Sequence, residues 1–355
     1  MHYQEHKSTS TFFKKAEKQL QKKLPFVLYR KPSDKVIHGI FQKDASVIRV
    51  KDFTETGFLF APYSDANETI LLRPDQLLYT EIIGEGTSKQ RAPVKHPVML
   101  EERTRYIGLV SKGIELLKKG VLKKVVLSRK IEVPCNREPL AVFWDLLEAY
   151  PVAFCYYWYH PAVGLWIGAT PELFMNFKGN EFRTISLAAT QRVVPGKEPA
   201  WGVKEKQEQE MVTQYIKTVL KNKVENLNVS KAQNSKAGQL WHLRSDIKAQ
   251  IDSDKTKEVI KALHPTSAVC GMPLKEAQTF IHENEGYNRK FYTGYLGELN
   301  LPSVSNVQLY VNLRCMEVSE GKALIYVGGG ITADSDPEKE WQETVDKSYT
   351  MLNIL

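Results

Sequence analysis

The sequence predicts an α+β fold with largely antiparallel sheets. Strand-like runs follow one another with no helical pattern between them: AFCYYWYHP, GLWIGATPELF and EFRTISLAAT first, then KFYTGYLGEL, VQLYVNLRCMEV and KALIYVGGG much later. Helical patterns are few and grouped, so βαβ units are scarce. A doubly wound parallel sheet would need strand and helix in regular alternation. A length of 355 residues with 42% hydrophobic content supports a substantial core, in one large domain or two ordinary ones.

Taken in order, MHYQEHKSTSTFFKKAEKQLQKKLP reads as a Lys-rich amphipathic helix, and its apolar run is too short for a signal peptide. Four short strand-like runs follow: PFVLYR, KVIHGIF, GFLFAPY and TILLR. EGTSKQRAPVKHPV, around 85–98, has the composition of a surface connection. It separates residues 1–95, an N-terminal portion of the same fold, from residues 96–355, which carry the chemical motifs. ERTRYIGLVSKGIELLKKG has helical spacing and ends on Gly120. KKVVLSRKIEV is a strand, and EPLAVFWDLLEAY is a helix stopped by Pro151. Between the two strand groups lie PAWGVKEKQEQEMVTQYIKTVLKNKVENL, a long helix, and DKTKEVIKALH, a short one. In DPEKEWQETVDK, Pro337 suits the first turn of a helix, with Ser335 or Asp336 as its cap.

The net charge of +8 permits an anionic partner. No basic block interleaved with aromatics stands out, so nucleic acid is not expected. No run of about 18 apolar residues exists, so no membrane span is expected. Cys135, Cys155, Cys270 and Cys315 are scattered and form no CxxC pair, which suits a reduced, cytoplasmic protein with buried thiols. A monomer is the default expectation.

The densest chemical signal is GGGITADSDPEKEWQETVDK, where Asp334, Asp336, Glu338, Glu340, Glu343 and Asp346 follow three glycines. Glu340 and Glu343 share one helix face and could hold a hard cation such as Mg²⁺; an exposed acidic helix start would look the same. DSDPE lacks the glycine and later ligands of an EF-hand loop. Glu208, in KEKQEQEMV, reads either as a solvated helix face or as a third ligand brought in by packing. Glu172, in GATPELF, sits among apolar residues; burial would raise its pKa and suit it to donate a proton, unless it merely starts a helix after Pro171. Lys124 opens the strand KVVLSRK and is a possible base if it faces inward, or a solvated lysine if it does not. His264, before Pro265, lies in an extended segment and could bond an anionic substrate or simply pack. Arg314 is a charge inside a strand pattern and needs an anion if buried. Gly328, Gly329 and Gly330 form neither a dinucleotide fingerprint nor a P-loop; they could offer backbone N–H groups to an anion, or mark a bulge.

KVVLSR, GATPELF, ISLAAT, the acidic helix, HPTSAVCGMP, FYTGYLGEL, LRCMEV and the terminal motif occur here in an order that resembles the chorismate-utilising enzymes, across residues 100–355. The terminal motif and HPTSAVCGMP are the most specific. The resemblance implies a single large domain of two antiparallel sheets flanked by helices, with chorismate bound in a cleft. It implies Mg²⁺ on Glu208, Glu340 and Glu343, and a grip on the pyruvyl carboxylate by Arg314 and the backbone of Gly329 and Gly330. Lys347 would add positive charge, and His264, Thr190 and Ala268 would line the pocket. In the branch that adds water to chorismate, a lysine is the base and a glutamate the acid, at the positions of Lys124 and Glu172. The aminodeoxychorismate branch uses a lysine nucleophile where this chain has Ala188, and the ammonia-using branch typically has threonine where it has Ala268. Both positions favour the isochorismate synthases, serving menaquinone or siderophore synthesis, with no glutaminase partner. A salicylate synthase shares these residues, and a non-catalytic chorismate-binding protein is the reading from another class. Ala189 stands where the family usually has glycine, and Gln191 begins a run that departs from the family's pattern.

Overall fold

The computed structural model describes residues 4–64, 68–82, 100–237 and 240–355, so the connection expected around 85–98 lies outside the described residues. Two ten-stranded sheets form the fold. Every strand pairing in them is antiparallel except the short contact of Glu5–His6 with Leu78–Tyr79. The first sheet centres on Lys124–Pro134, Lys322–Ile331, Cys315–Ser319, Gly164–Thr170 and Phe154–His160, and continues through Phe26–Arg30 and Val36–Phe41. The second runs from Leu240–Gln250 through Glu181–Arg192, Leu173–Lys178, Asn306–Val311 and Tyr295–Leu299 to Gly57–Ala61.

Alternation along the strands sorts side chains between two faces. In Phe26–Arg30, Phe26 and Leu28 turn outward to a core shared with Phe12 of the Thr9–Gln21 helix and Phe143 of the Pro139–Ala149 helix. Val27 and Tyr29 turn inward to an aromatic layer between the sheets. Phe58 and Phe60 meet that layer from the second sheet, while Leu59 and Ala61 face outward to a third core with the Val203–Leu220 and Thr256–Leu263 helices. Phe154 of the first sheet stacks on Tyr310 of the second with ring centroids 4.1 Å apart. Each such buried side chain is worth about 1.5–3 kcal/mol in removed apolar surface. The layer therefore fastens the two sheets to each other.

Two runs read as single strands are each broken between the sheets. GLWIGATPELF is Gly164–Thr170 in the first sheet and Leu173–Lys178 in the second, and the chain crosses at Pro171–Glu172. VQLYVNLRCMEV is Asn306–Val311 in the second sheet and Cys315–Ser319 in the first, crossing at residues 312–314. The crossings bond each other: Val311 N donates to Glu172 O at 3.0 Å, and Ala169 N donates to Arg314 O at 2.9 Å. Arg314 thus belongs to a crossing and not to a strand, with φ +49°. The helix expected across 199–227 is shorter, Val203–Leu220, and Glu225–Val229 is a strand. The last helix starts as its sequence suggests: Pro337 opens it, and the Asp336 carboxylate caps it by accepting from Glu338 N and Lys339 N.

Candidate active site

The two crossings open onto a cleft between the sheets. Its lining brings together Lys124, Glu172, Thr190, Glu208, Ala268, Arg314, Gly329, Gly330, Glu343 and Lys347 from positions far apart in sequence. Glu340 stands behind Glu343 on the same helix and is buried.

Lys124 is the first residue of its strand, and its buried side chain reaches Glu208, Nζ to Oε1 2.9 Å. Burial alone would raise the Glu208 carboxyl, but the Lys124 ammonium at contact holds it below the usual carboxylate range. Glu172 is also buried, and burial lifts its carboxyl to about 7 against the pull of Lys124, Lys347 and Arg314. Glu172 is therefore about half protonated near neutrality, while Glu208 is ionised.

The glycine strand lets these groups approach. A Cβ on Gly330 would lie 2.5 Å from Glu208 Oε1 and 3.0 Å from Lys124 Cε, so a larger residue would push that ion pair aside. A Cβ on Gly329 would lie 3.3 Å from Glu343 Oε1 and 3.5 Å from Glu340 Oε2. Lys347 Nζ donates to Glu343 Oε1 at 2.6 Å and to Gly328 O at 2.9 Å, tying the helix to the strand. Lys204, which the sequence did not single out, lines the cleft and pairs with Glu340 at 2.9 Å. Burial pulls the Lys204 ammonium down, but Glu340, Glu208 and Glu343 together leave its pKa raised.

Glu205 also lines the cleft, three residues before Glu208, so two pairs of carboxylates at helical spacing come from two helices. Among the described residues no three of these groups converge into a ready-made cage. The donor chemistry does fit a hard dication. All donors are carboxylate oxygens, and burial followed by the neighbouring charge of Glu343 pushes Glu340 above the usual carboxylate range, so a cation beside the pair would be stabilised.

Arg314 is half-buried, and desolvation lowers its pKa. Its guanidinium donates to Thr350 Oγ1 at 3.2 Å, and among the described residues no carboxylate forms a salt bridge with it. A half-buried guanidinium that faces a cleft and has no carboxylate partner is a receptor for an anion.

His264 does not line the cleft. It caps the Thr256–Leu263 helix in an extended conformation, its ring packs edge-on to Phe174 and Tyr295, and Nε2 lies 3.1 Å from the carbonyls of Pro62 and Tyr63. Burial lowers it to about 4, so it is neutral. The histidine facing the cleft is His242, on the Leu240–Gln250 strand. Burial, then Arg314 and Lys347, lower it to about 3. Its Nδ1 lies 2.9 Å from Ala189 O, and a carbonyl only accepts, so Nδ1 carries the proton. Nε2 is then a buried acceptor with no partner, open to a ligand hydroxyl. The signal was present in LWHLRSDIKAQI, where Ser245, Ile247 and Ala249 alternate with Arg244, Asp246 and Lys248 as in a strand.

The chain belongs to the chorismate binding enzyme family, whose profile matches residues 46–353. The isochorismate synthase EntC of Escherichia coli K12 is 30% identical over 280 residues, covering 76% of this chain and 71% of that protein. The structure of MenF, the menaquinone-specific isochorismate synthase of Escherichia coli, is similar with a TM-score of 0.76 over 93% of this chain and 88% of that one, at 20% identity. Anthranilate synthase component I of Streptococcus pneumoniae reaches 0.69 over 92% of each chain at 17% identity. The fold is thus shared by enzymes of different names, and residues of the cleft must distinguish them.

Proposed function

We propose that this chain is a Mg²⁺-dependent isochorismate synthase. The observation that carries the reading is one cleft holding Lys124 against an ionised carboxylate and Glu172 lifted to about 7. The Lys124 ammonium first gives up a proton to solvent, and its neutral Nζ then takes a proton from the attacking water as the water oxygen bonds to ring C2. The ring double bonds shift and the C4–oxygen bond breaks. Glu172 gives its proton to the departing hydroxyl, which leaves as water. One water enters and one leaves, so the reaction is an isomerisation.

The other residues hold the substrate. Arg314 and the backbone of Gly329 and Gly330 receive the pyruvyl carboxylate, and Lys347 adds positive charge. Thr190 and Ala268 shape the wall, and His242 Nε2 accepts from a substrate hydroxyl. Glu208, Glu340 and Glu343, with Glu205 beside them, would hold Mg²⁺, which supplies positive charge for the ring carboxylate. Ala188 lines the cleft where a covalent branch would place an amine, so no side-chain nucleophile is available there. Water as nucleophile requires no amidotransferase partner. The relatives named as isochorismate synthases support the same reaction, whose product would feed menaquinone or siderophore synthesis.

The test is to incubate the protein with chorismate, with Mg²⁺ or with a chelator, in the presence and absence of ammonium, and to separate the products. Isochorismate formed only with Mg²⁺ and without release of pyruvate is the expected result. Salicylate with pyruvate would assign the chain to the neighbouring branch, and an aminated product would overturn water as nucleophile. Chorismate binding with no product would make it a binding protein.

A further inference from the structure

The proposed mechanism leaves one fully buried ion pair unused. Arg289 and Glu285 have side chains only 2% and 1% exposed. Arg289 Nε donates to Glu285 Oε2 at 2.8 Å. Its other donors fan out to three segments of the cleft wall: Nη2 to Val126 O at 2.7 Å, and Nη1 to Val269 O at 2.9 Å and to Thr293 Oγ1 at 3.3 Å. Glu285 closes the arrangement by accepting from Ser128 N and Ser128 Oγ at 2.7 and 2.8 Å. The Tyr63 ring covers the guanidinium at 4.6 Å.

These contacts join the two sheets. Val126 and Ser128 lie on the first-sheet strand that begins with Lys124. Thr293 leads into Tyr295–Leu299 of the second sheet, and Tyr63 follows Gly57–Ala61 of the same sheet. Val126, Val269 and Thr293 all line the cleft. The segment after Val269 holds the start of the Lys124 strand: Val126 N donates to Cys270 O at 2.8 Å, and Lys123 N donates to Met272 O at 2.7 Å. Thr293 has φ +63°, a conformation a β-branched residue adopts only when its surroundings impose it, and its N donates to Asn312 O in the crossing that delivers Arg314.

We propose that Arg289, paired with Glu285, is a positioning residue that sets the width of the cleft, fixing Lys124 on one wall against Arg314 on the other. A planar fork with five donors in fixed directions can bond Glu285, Val126, Val269 and Thr293 at once, a spread the three donors of one ammonium cannot match. The pair's charges need each other to be buried, but the geometry it imposes is what the reaction uses. The inference rests on the reading of this cleft as the site of chorismate turnover.

The test compares Arg289→Lys with the double variant Glu285→Gln/Arg289→Met, well below the melting temperature of each. The lysine keeps the charge and loses the fork. The double variant removes both charges, so no unpaired ion is left buried. Both are expected to fold, to bind chorismate about tenfold more weakly by calorimetry, and to lose on the order of 10²-fold in kcat per folded molecule. A third variant, Arg289→Met alone, leaves Glu285 unpaired; Arg289→Lys should recover melting temperature relative to it without recovering kcat, which a purely structural role would not produce. Wild-type kcat and chorismate affinity in either folded variant would overturn the proposal. Should both fail to fold, Thr293→Val removes one arm alone, and unchanged kcat there would overturn it equally. If the wild type forms no isochorismate, the functional reading falls, and the clamp is then judged on chorismate affinity alone, with unchanged affinity in Arg289→Lys overturning it.

Discussion

Glu172 and Glu208 face the same cleft and both feel Lys124, yet their protons behave in opposite ways. Burial raises Glu208, but the Lys124 ammonium at 2.9 Å, with Lys347 and Lys204 behind it, outweighs that burial. Glu172 has Lys124, Lys347 and Arg314 around it, and burial outweighs all three, leaving it at about 7. The number of neighbouring cations therefore does not decide the outcome. A contact ion pair is strong enough to reverse desolvation, and a set of more distant charges is not. A cleft of one net composition can thus hold an acid and an ionised partner for its base.

The largest effect is expected where that contrast is removed at its source. Lys124→Ala should cut turnover by about 10²–10⁴-fold, the usual range for losing a general base, while chorismate binding measured by calorimetry is largely kept. Without its partner the half-buried Glu208 carboxyl should rise. Retained turnover would remove Lys124 from the base role.

Glu172→Gln removes the proton donor and should lower kcat within the same range. The wild type should lose activity as pH rises through about 7, because the acid must be protonated, and the variant's residual activity should lack that limb. Stability follows the same sign. The folded carboxyl at about 7 lies above the ordinary 4.5, so the folded chain binds this proton more tightly than the unfolded chain does. The stabilisation is full below about pH 4.5 and is lost as pH rises through about 7, a change of about 3 kcal/mol. Melting curves at pH 5 and pH 8 should show this loss in the wild type and not in Glu172→Gln.

The smallest effect concerns the wall beside both groups. Ala189 has φ +59° at a break in the register between Glu181–Arg192 and Leu240–Gln250, and its carbonyl fixes the His242 tautomer. Glycine takes that conformation without the Cβ penalty, so Ala189→Gly should stabilise the protein by about 1 kcal/mol in a denaturant titration. A loss instead would mean that the methyl's packing outweighs its strain.

Much of this was legible in the sequence. The antiparallel class, the last helix with its Pro337 start and Asp336 cap, and the strand that begins at Lys124 follow from local pattern. The crossings were not legible as such. Apolar runs continue through Pro171–Glu172 and through residues 312–314, and periodicity carries no record of which sheet a strand joins. Pro171 was the one local cue that GLWIGATPELF is broken. The left-handed turn at Arg314 had none, since it is imposed by bonds to Ala169 and the sheets around it. His264 drew notice through its motif, while His242 lies in Leu240–Gln250, a strand that none of the sequence motifs marks. Lys204 matters through Glu340, and Arg289, though paired with Glu285 four residues before it, matters through Val126 and Val269; no spacing rule reaches those partners.

The interleaving of the two sheets also bears on how the chain acquires its structure. Phe26–Arg30 must wait for Phe154–His160, and Gly57–Ala61 must wait for Tyr295–Leu299, near the other end of the chain. Such non-local pairing makes for slow folding and leaves strand edges uncovered in the meantime. During synthesis the early strands emerge long before their neighbours exist, so the nascent chain is a natural client for chaperones, and the cleft is completed only when the last helix has been made.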